Sequence, residues 1–396
     1  VCSSDLLRFT TDAGEAIRRS QVLFITVGTP SKEDGSADLS FLEQVVQQII
    51  DHLDDYKVIV TKSTVPVGTN RWILNTIASV GFIPGKDFDV VSNPEFLREG
   101  RATRDFFHPE RTVIGCESKR AKAVMKDVYW ALNLISVPFL WCSLETAELI
   151  KYASNAFLAV KISYMNEIAN LSESVGADVH QVALAMGMDS RISPKFLHSG
   201  PGYGGSCFPK DTAALVHLGH KHKVPMQIVN SAIVVNDAQK NRMVDKLASL
   251  MGKEEYGVSP AENPFKNKVI AVLGLAFKSE TDDIRESPSL IIIDRLCASG
   301  AVVKANDPKA MENFSTVFPD IQYCSSVYDA LTGADAVILV TDWNEYRSLD
   351  LDKAAAVMKG RIFLDTRNVL NPHEAEEKGF IYEGVGRGKN PSQIAG

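Results

Sequence analysis

Two short apolar runs, Val22-Leu-Phe-Ile-Thr-Val27 and Val269-Ile-Ala-Val-Leu-Gly-Leu275, decide the fold. Each is too short for a buried helix and continuously apolar, so each predicts a strand covered on both faces. Outward from the first run, residues 39–53 and 69–78 have helical patterns, and residues 57–61, 88–92 and 111–115 predict further strands. Outward from the second, residues 289–298 predict a helix, and residues 301–306, 336–341 and 361–365 predict strands. Apolar strands separated by amphipathic helices predict two α/β domains, each built on a parallel sheet covered by helices.

Between them lies a helical region. Residues 144–175 contain few helix breakers and end at Gly176, which predicts one helix of about nine turns, long enough for a domain connector or a dimer spine. Helical sequence continues over 178–186, is interrupted by the glycine-rich stretch 200–205, and resumes over 209–222 and 226–251. Residues 254–268, with two prolines and several charges, read as a linker, and residues 384–396 as a flexible tail.

Composition narrows the function. With 396 residues, 45% of them hydrophobic, the chain can bury a large core divided among two or three domains. The formal charge of −7, without a basic block, argues against a sequence-independent nucleic-acid binder or a membrane-surface binder. Any anionic ligand must therefore meet locally placed cations. The longest strongly apolar run, 269–277, falls far short of the ~20 residues a spanning helix needs. The six cysteines (2, 116, 142, 207, 297 and 324) are scattered without a C-x-x-C pair, which suggests neither a disulfide framework nor a zinc site and fits a reducing, cytoplasmic compartment.

Five stretches could carry chemistry. Gly200, Gly202 and Gly205 spell G-x-G-x-x-G, but no strand precedes them, so the context argues against a dinucleotide fingerprint. The same loop delivers Cys207 just before a helix start marked by Pro209, close in sequence to Lys210; both features favour a thiolate nucleophile, the alternative being an inert cysteine beside a tight turn. Asn93-Pro-Glu-Phe-Leu-Arg-Glu-Gly100 has the signature of a short helix with Asn93 as cap, which would put Glu95 and Glu99 on one face at the carboxyl end of a strand. Lys151 and Asn155, four apart on the long helix, form either a snorkelling surface pair or a cation and amide presented to an oxyanion. Thr26-Val-Gly-Thr-Pro30 and Lys62-Ser-Thr-Val-Pro66 end neighbouring strands with small hydroxyl residues, a pattern that turn chemistry alone can also produce.

Taken together, VGTP (27–30), GSADLS (35–40), KSTVPVGT (62–69), NPEFLREG (93–100), AELIKYASNAFLA (147–159), GPGYGGSCFPKD (200–211), GLAFKSETDDIRESPS (274–289) and DTRN (365–368) resemble the UDP-glucose/GDP-mannose dehydrogenase family of nucleotide-sugar 6-dehydrogenases, and its UDP-glucose branch most. The resemblance runs from about residue 7 to residue 387. It implies two Rossmann-like, doubly wound parallel-sheet domains joined by a central helical domain with a long connecting helix. The implied boundaries are residues 1–140 for NAD binding, 141–262 for the central, dimerising part with the cysteine loop, and 263–396 for the UDP-sugar.

It also implies an NAD-dependent four-electron oxidation of a sugar C6 alcohol through a cysteine thiohemiacetal and thioester. The implied catalytic residues are Cys207, Glu95, Lys151, Asn155, Asp211 and Thr64. Implied substrate contacts are Glu95, Phe96, Leu97, Lys151, Asn155, Tyr203, Gly204, Phe277, Lys278 and Arg367, with Arg191 serving the partner's site in a homodimer or higher oligomer. NAD would be held by Gly28, Thr29, Pro30, Ser63, Thr64, Glu99, Cys207, Lys210 and Arg285, without any metal. Alternatives are GDP-mannose or another nucleotide sugar as substrate, or an inactive truncated fragment. On the last point, the family's own G-x-G-x-x-G is not found, so the first domain is expected to lack its initial strands, roughly 60–80 residues, and to bind NAD hardly at all. Val1 to Leu6 does not match the family and resembles translated adapter sequence.

Overall fold

The computed structural model describes residues 7–252 and 263–388, which fall into two compact units: Val1–Asn155 with Ala213–Met226, and Ala156–Thr212 with Gln227–Gly396. The first unit holds a sheet of β1 (Val22–Ile25), β2 (Lys57–Thr61), β3 (Phe88–Ser92), β4 (Thr112–Cys116) and β5 (Phe139–Cys142), ordered as in the sequence. Every residue of β2 and β3 is buried, the polar Lys57, Thr61, Asp89 and Ser92 included. Successive side chains leave a strand on opposite faces. Ile59 thus packs with Leu42, Val46, Ile73 and Ile77 from helices Ser40–His52 and Thr69–Ser79, whereas Val58 and Val60 pack with Ala121 and Met125 of helix Lys119–Val128.

Two features differ from expectation. β4 runs antiparallel to β3, so the sheet is mixed at that edge, and β5, short and only partly buried, adds a parallel partner to β4. The stretch 93–99 is not a helix; the next helix is Ala102–Phe107. The cap signature fails because Asn93 is wholly buried and bonded elsewhere: its amide donates to the Val113 carbonyl at 2.8 Å, and its Oδ1 accepts from Lys62 Nζ and the Tyr129 hydroxyl. Glu95 instead accepts the Leu97 N–H, closing a local turn, and Asp105 accepts the Arg98 N–H at 2.9 Å. Glu95 and Glu99 therefore do not share a helix face.

The long helix is Leu144–Val175, with the bounds expected from sequence. In its first turns Glu148 is 2% exposed and accepts three hydrogen bonds at 2.7 Å, from the backbone N–H groups of Gly68 and Asn70 and from the Asn70 amide. These are free N–H groups at the start of helix Thr69–Ser79, a place where a carboxylate is favoured.

The second unit holds a fully parallel sheet of β6 (Val269–Leu273), β7 (Val302–Asn306), β8 (Gln322–Tyr323), β9 (Ala336–Leu339), β10 (Ile362–Asp365) and β11 (Ile381–Glu383). Its order is β11-β10-β9-β6-β7-β8, so the winding reverses between β6 and β9, the switch point where such sheets open a crevice at their carboxyl ends. Helix Pro288–Ala298 begins as sequence rules dictate, with Ser287 as cap and proline at its first position. The expected linker lies largely outside the described residues; the part that is described, from residue 263, buries Phe265. The expected tail is held, as far as residue 388, by backbone bonds: Val385 N to Asn368 Oδ1, Gly386 N to Glu173 Oε1 and Gly388 N to Ala177 O.

Two consequences are measurable. In Glu148→Gln an amide NH₂ must face an N–H group, which should lower unfolding free energy by about 1–3 kcal/mol in urea titrations; an unchanged midpoint would contradict this role. Lys62 sits behind β2 with its ammonium 5.9 Å from the Tyr129 ring centroid. Burial pushes its pKa down to about 8, with Lys151 acting in the same direction and Glu95 opposing. The folded state thus binds this proton less tightly than the unfolded chain. Its contribution to stability is present above the ordinary value of 10.5 and is lost as pH falls through about 8. Stability measured between those limits should rise with pH less steeply in Lys62→Met than in the parent, and equal slopes would show that Lys62 keeps its ordinary proton affinity.

Candidate active site

In the first unit, the site is built on the carboxyl ends of β1, β2 and β3 and the first turns of the long helix. Lys151, 3% exposed, donates from Nζ to Glu95 Oε1 at 3.1 Å and lies 5.2 Å from the Phe96 ring centroid. Arg111 stacks on Phe96 at 4.0 Å. Asn155, buried, follows Lys151 by one turn on the same helix face, so the snorkelling alternative does not hold for this pair. Leu97 and Glu99 stand half-buried in the loop before Gly100, and Arg98 is fixed by a two-pronged ion pair to Asp105, which holds that carboxyl at about 2.

The turns after β1 and β2 are tied edge to edge. Thr29 Oγ1 donates to the Thr64 carbonyl at 2.8 Å, and Ser63 Oγ donates to the Val27 carbonyl at 2.6 Å. A Cβ placed on Gly28 would meet nothing within 4 Å, so the backbone there is open to close approach, with Pro30 next to it exposed. An open glycine at the carboxyl edge of parallel strands fits close approach of a dinucleotide.

In the second unit, the glycine-rich loop is shaped by close packing. A Cβ on Gly204 would lie 2.3 Å from the Glu286 carbonyl oxygen, one on Gly205 would lie 2.7 Å from the Phe277 ring, and Gly205 N–H donates to the Arg285 carbonyl at 2.8 Å. Tyr203 is 6% exposed and packs on Ala159, Ile162 and Phe208; burial pushes its phenol up to about 12. Cys207 is exposed and immediately precedes helix Phe208–Lys221, its carbonyl accepting the Asp211 N–H at 2.9 Å. Asp211 is 1% exposed and accepts from Lys210 Nζ at 2.8 Å.

Arg367 donates to the carbonyls of Val340 at 2.7 Å and Phe277 at 2.9 Å; burial pushes its pKa down while Asp342 and Asp365 oppose. Its Nη1 would lie 3.5 Å from a Cβ on Gly200, so Arg367, Phe277 and the loop are brought together. Lys278 Nζ stands 5.3 Å from the Phe277 ring. Arg285 forms a two-pronged pair with Asp283, and Arg191, exposed, forms one with Asp189. A cavity of about 570 Å³ lined by Glu167, Arg242 and Lys246 contains none of the expected residues.

Several residues of the site were not foreseen. Glu148 anchors the helix that carries Lys151, and the buried amides Asn166, Asn236 and Gln239 hold the glycine-rich loop, with Asn166 Oδ1 accepting the Gly200 N–H at 2.8 Å and Gln239 Nε2 donating to the Gly200 carbonyl at 2.9 Å. A buried amide that pairs with a loop backbone leaves no periodic trace in sequence.

Comparison with known proteins shows the family. Residues 1–133 match the NAD binding domain of the UDP-glucose/GDP-mannose dehydrogenase family, residues 145–238 its central domain and residues 271–372 its UDP binding domain. The chain is 45% identical to a UDP-glucose 6-dehydrogenase of Rhizobium meliloti over 97% of its own length and 86% of that protein's, and 44% identical to one of Bacillus subtilis over 96% and 80%. A solved UDP-glucose dehydrogenase from Pyrobaculum islandicum superposes with a TM-score of 0.85 at 38% identity, over 97% of this chain and 84% of that one. On this evidence the chain belongs to the UDP-glucose/GDP-mannose dehydrogenase family.

Proposed function

We propose that this protein oxidises the C6 alcohol of UDP-glucose to the carboxylate of UDP-glucuronate in two NAD-dependent steps. The observation that carries the reading is Cys207, exposed at the start of a helix with buried Asp211 one turn on, in a chain whose relatives are UDP-glucose 6-dehydrogenases. The proposed domains are residues 1–140 for NAD, 141–262 as the central helical part and 263–396 for the nucleotide sugar.

NAD, held by Gly28, Thr29, Pro30, Ser63, Thr64 and Glu99 with Lys210 and Arg285, supplies the hydride acceptor for each oxidation. Lys151 and Asn155 present an ammonium and an amide to the oxygen at C6, where negative charge develops. Cys207 Sγ adds to the C6 aldehyde; a C–S bond forms, the carbonyl oxygen gains a proton, and the product is a thiohemiacetal. Loss of hydride from that carbon to NAD and of the proton from its hydroxyl leaves a thioester on Cys207. Asp211 and Thr64 hold a water whose proton passes to Glu95 as its oxygen attacks the thioester, breaking the C–S bond and releasing the carboxylate and the Cys207 thiol.

Arg367, Lys278 and the Gly204 backbone face the nucleotide diphosphate, and Tyr203, Phe277, Phe96 and Leu97 wall the sugar. A few placed cations suffice for a dianion on an acidic protein, since a guanidinium matches phosphate oxygens. We further propose a homodimer or higher oligomer in which Arg191 serves the partner's site. Phe157, Tyr164 and Leu171, spaced by seven on the long helix and 48–63% exposed, supply an apolar stripe for that contact. The free cysteines among the described residues suit a cytoplasmic location.

The protein should form about two NADH per UDP-glucose consumed, followed at 340 nm with limiting sugar, as a covalent double oxidation requires. One NADH per sugar would exclude the second oxidation, and turnover of GDP-mannose in place of UDP-glucose would move the substrate assignment.

A further inference from the structure

The glycine-rich loop belongs to no sheet or helix, yet it is buried from Gly200 to Gly205, so its backbone groups must find partners outside a regular ladder. At Tyr203 one side chain supplies both. Asn236 Oδ1 accepts the Tyr203 N–H at 2.7 Å, and Asn236 Nδ2 donates to the Tyr203 carbonyl at 3.1 Å, so the amide pairs with this residue as a neighbouring strand would. Asn236 is 3% exposed and projects from helix Gln227–Met251. Gly202 has φ +108°, and a Cβ there would come within 2.9 Å of Asn236 Oδ1, so the loop lies flat against the clamp. On its other side, Gly204 and Gly205 press on Glu286 and Phe277, which leaves the loop no slack to absorb a shift.

We infer that Asn236 is a positioning residue for the reaction: its paired hydrogen bonds to Tyr203 set the place of the loop, and through it of Cys207 four residues on. The inference rests on the function proposed above, and it assigns to Asn236 no contact with substrate. Ser163 provides the comparison. Its buried hydroxyl donates to the Ala232 carbonyl at 2.7 Å, joining the long helix to helix Gln227–Met251 one turn before Asn236, with the bond made to a helix and not to the loop.

Asn236→Ala should lower kcat by about 10- to 100-fold and raise KM for UDP-glucose about tenfold while leaving KM for NAD within about twofold, because misplacing a reacting group is costly even without lost contacts. Ser163→Ala should lower Tm to a similar extent and leave all three constants within about twofold. The isosteric Asn236→Asp, which keeps the acceptor and loses the donor, should show the same kinetic split as Asn236→Ala and covers the case in which the alanine variant does not fold. The inference is overturned if the Asn236 variants keep the parent's kcat and KM for UDP-glucose, or if Ser163→Ala moves them equally. Amide hydrogen exchange separates the two readings. In the Asn236 variants Tyr203 should lose protection that Ser163→Ala retains; unchanged protection overturns the clamp even if the parent turns over no UDP-glucose.

Discussion

A carboxylate buried in a helix, Glu148, is the constraint on which the first unit's polar residues depend. It takes three N–H donors at 2.7 Å from the start of the helix that follows β2, and so joins the long helix to the turn carrying Ser63 and Thr64. Burial pushes its pKa up, and the same three donors oppose that push by bonding the charged form. Positions 148, 151 or 152, and 155 share one face of an α-helix, so fixing Glu148 also fixes where Lys151 and Asn155 point. Lys151 then meets Glu95, whose loop is held at its base by buried Asn93. The oxyanion-stabilising and general-base roles proposed for Lys151 and Glu95 need such rigid placement, because donors that must reorganise during reaction lose much of their effect.

The second unit uses the same device at two strand ends. Asp307, just after β7, accepts the N–H groups of Leu275 and Ala276 and the indole N–H of Trp343. Asp365, at the end of β10, accepts from the N–H groups of Arg367, Val369 and Leu370 and from the Tyr382 hydroxyl, while burial pushes its pKa up. Each buried carboxylate stands where a loop backbone would otherwise have unpaired donors, and each loop carries residues assigned to the nucleotide sugar. Much of the acidic excess seen in the composition lies on the surface, but these interior carboxylates organise the carboxyl edges of the sheets.

The strands and helices with strong periodicity were legible in sequence. The runs at 57–61 and 269–275 and the helix Leu144–Val175 were visible because burial imposes the apolar pattern directly, whereas β1 in the run 22–27 is an edge strand that leaves Phe24 40% exposed and is not covered on both faces as expected. The short strands β5, β8 and β11 were not, since two to four residues carry too little pattern. Residues 93–100 misled because their cap and stop residues are real local signals, but Asn93 and Glu95 bond to tertiary and turn partners instead. Cys207 and Lys151 stood out by chemistry and neighbours, and Asp211 through the family resemblance. Glu148, Asn236 and Gln239 did not, because their partners are backbone groups far away in sequence.

The account turns on Cys207 carrying the sugar as a thioester that Glu95 helps to hydrolyse. The direct measurement is peptide mass spectrometry after acid quench of the Glu95→Gln protein mixed with UDP-glucose and NAD. A UDP-glucuronyl adduct should accumulate on Cys207 in that variant and be scarce in the parent. NADH formation by the variant without mass added at Cys207, or with the adduct on another residue, would contradict the mechanism.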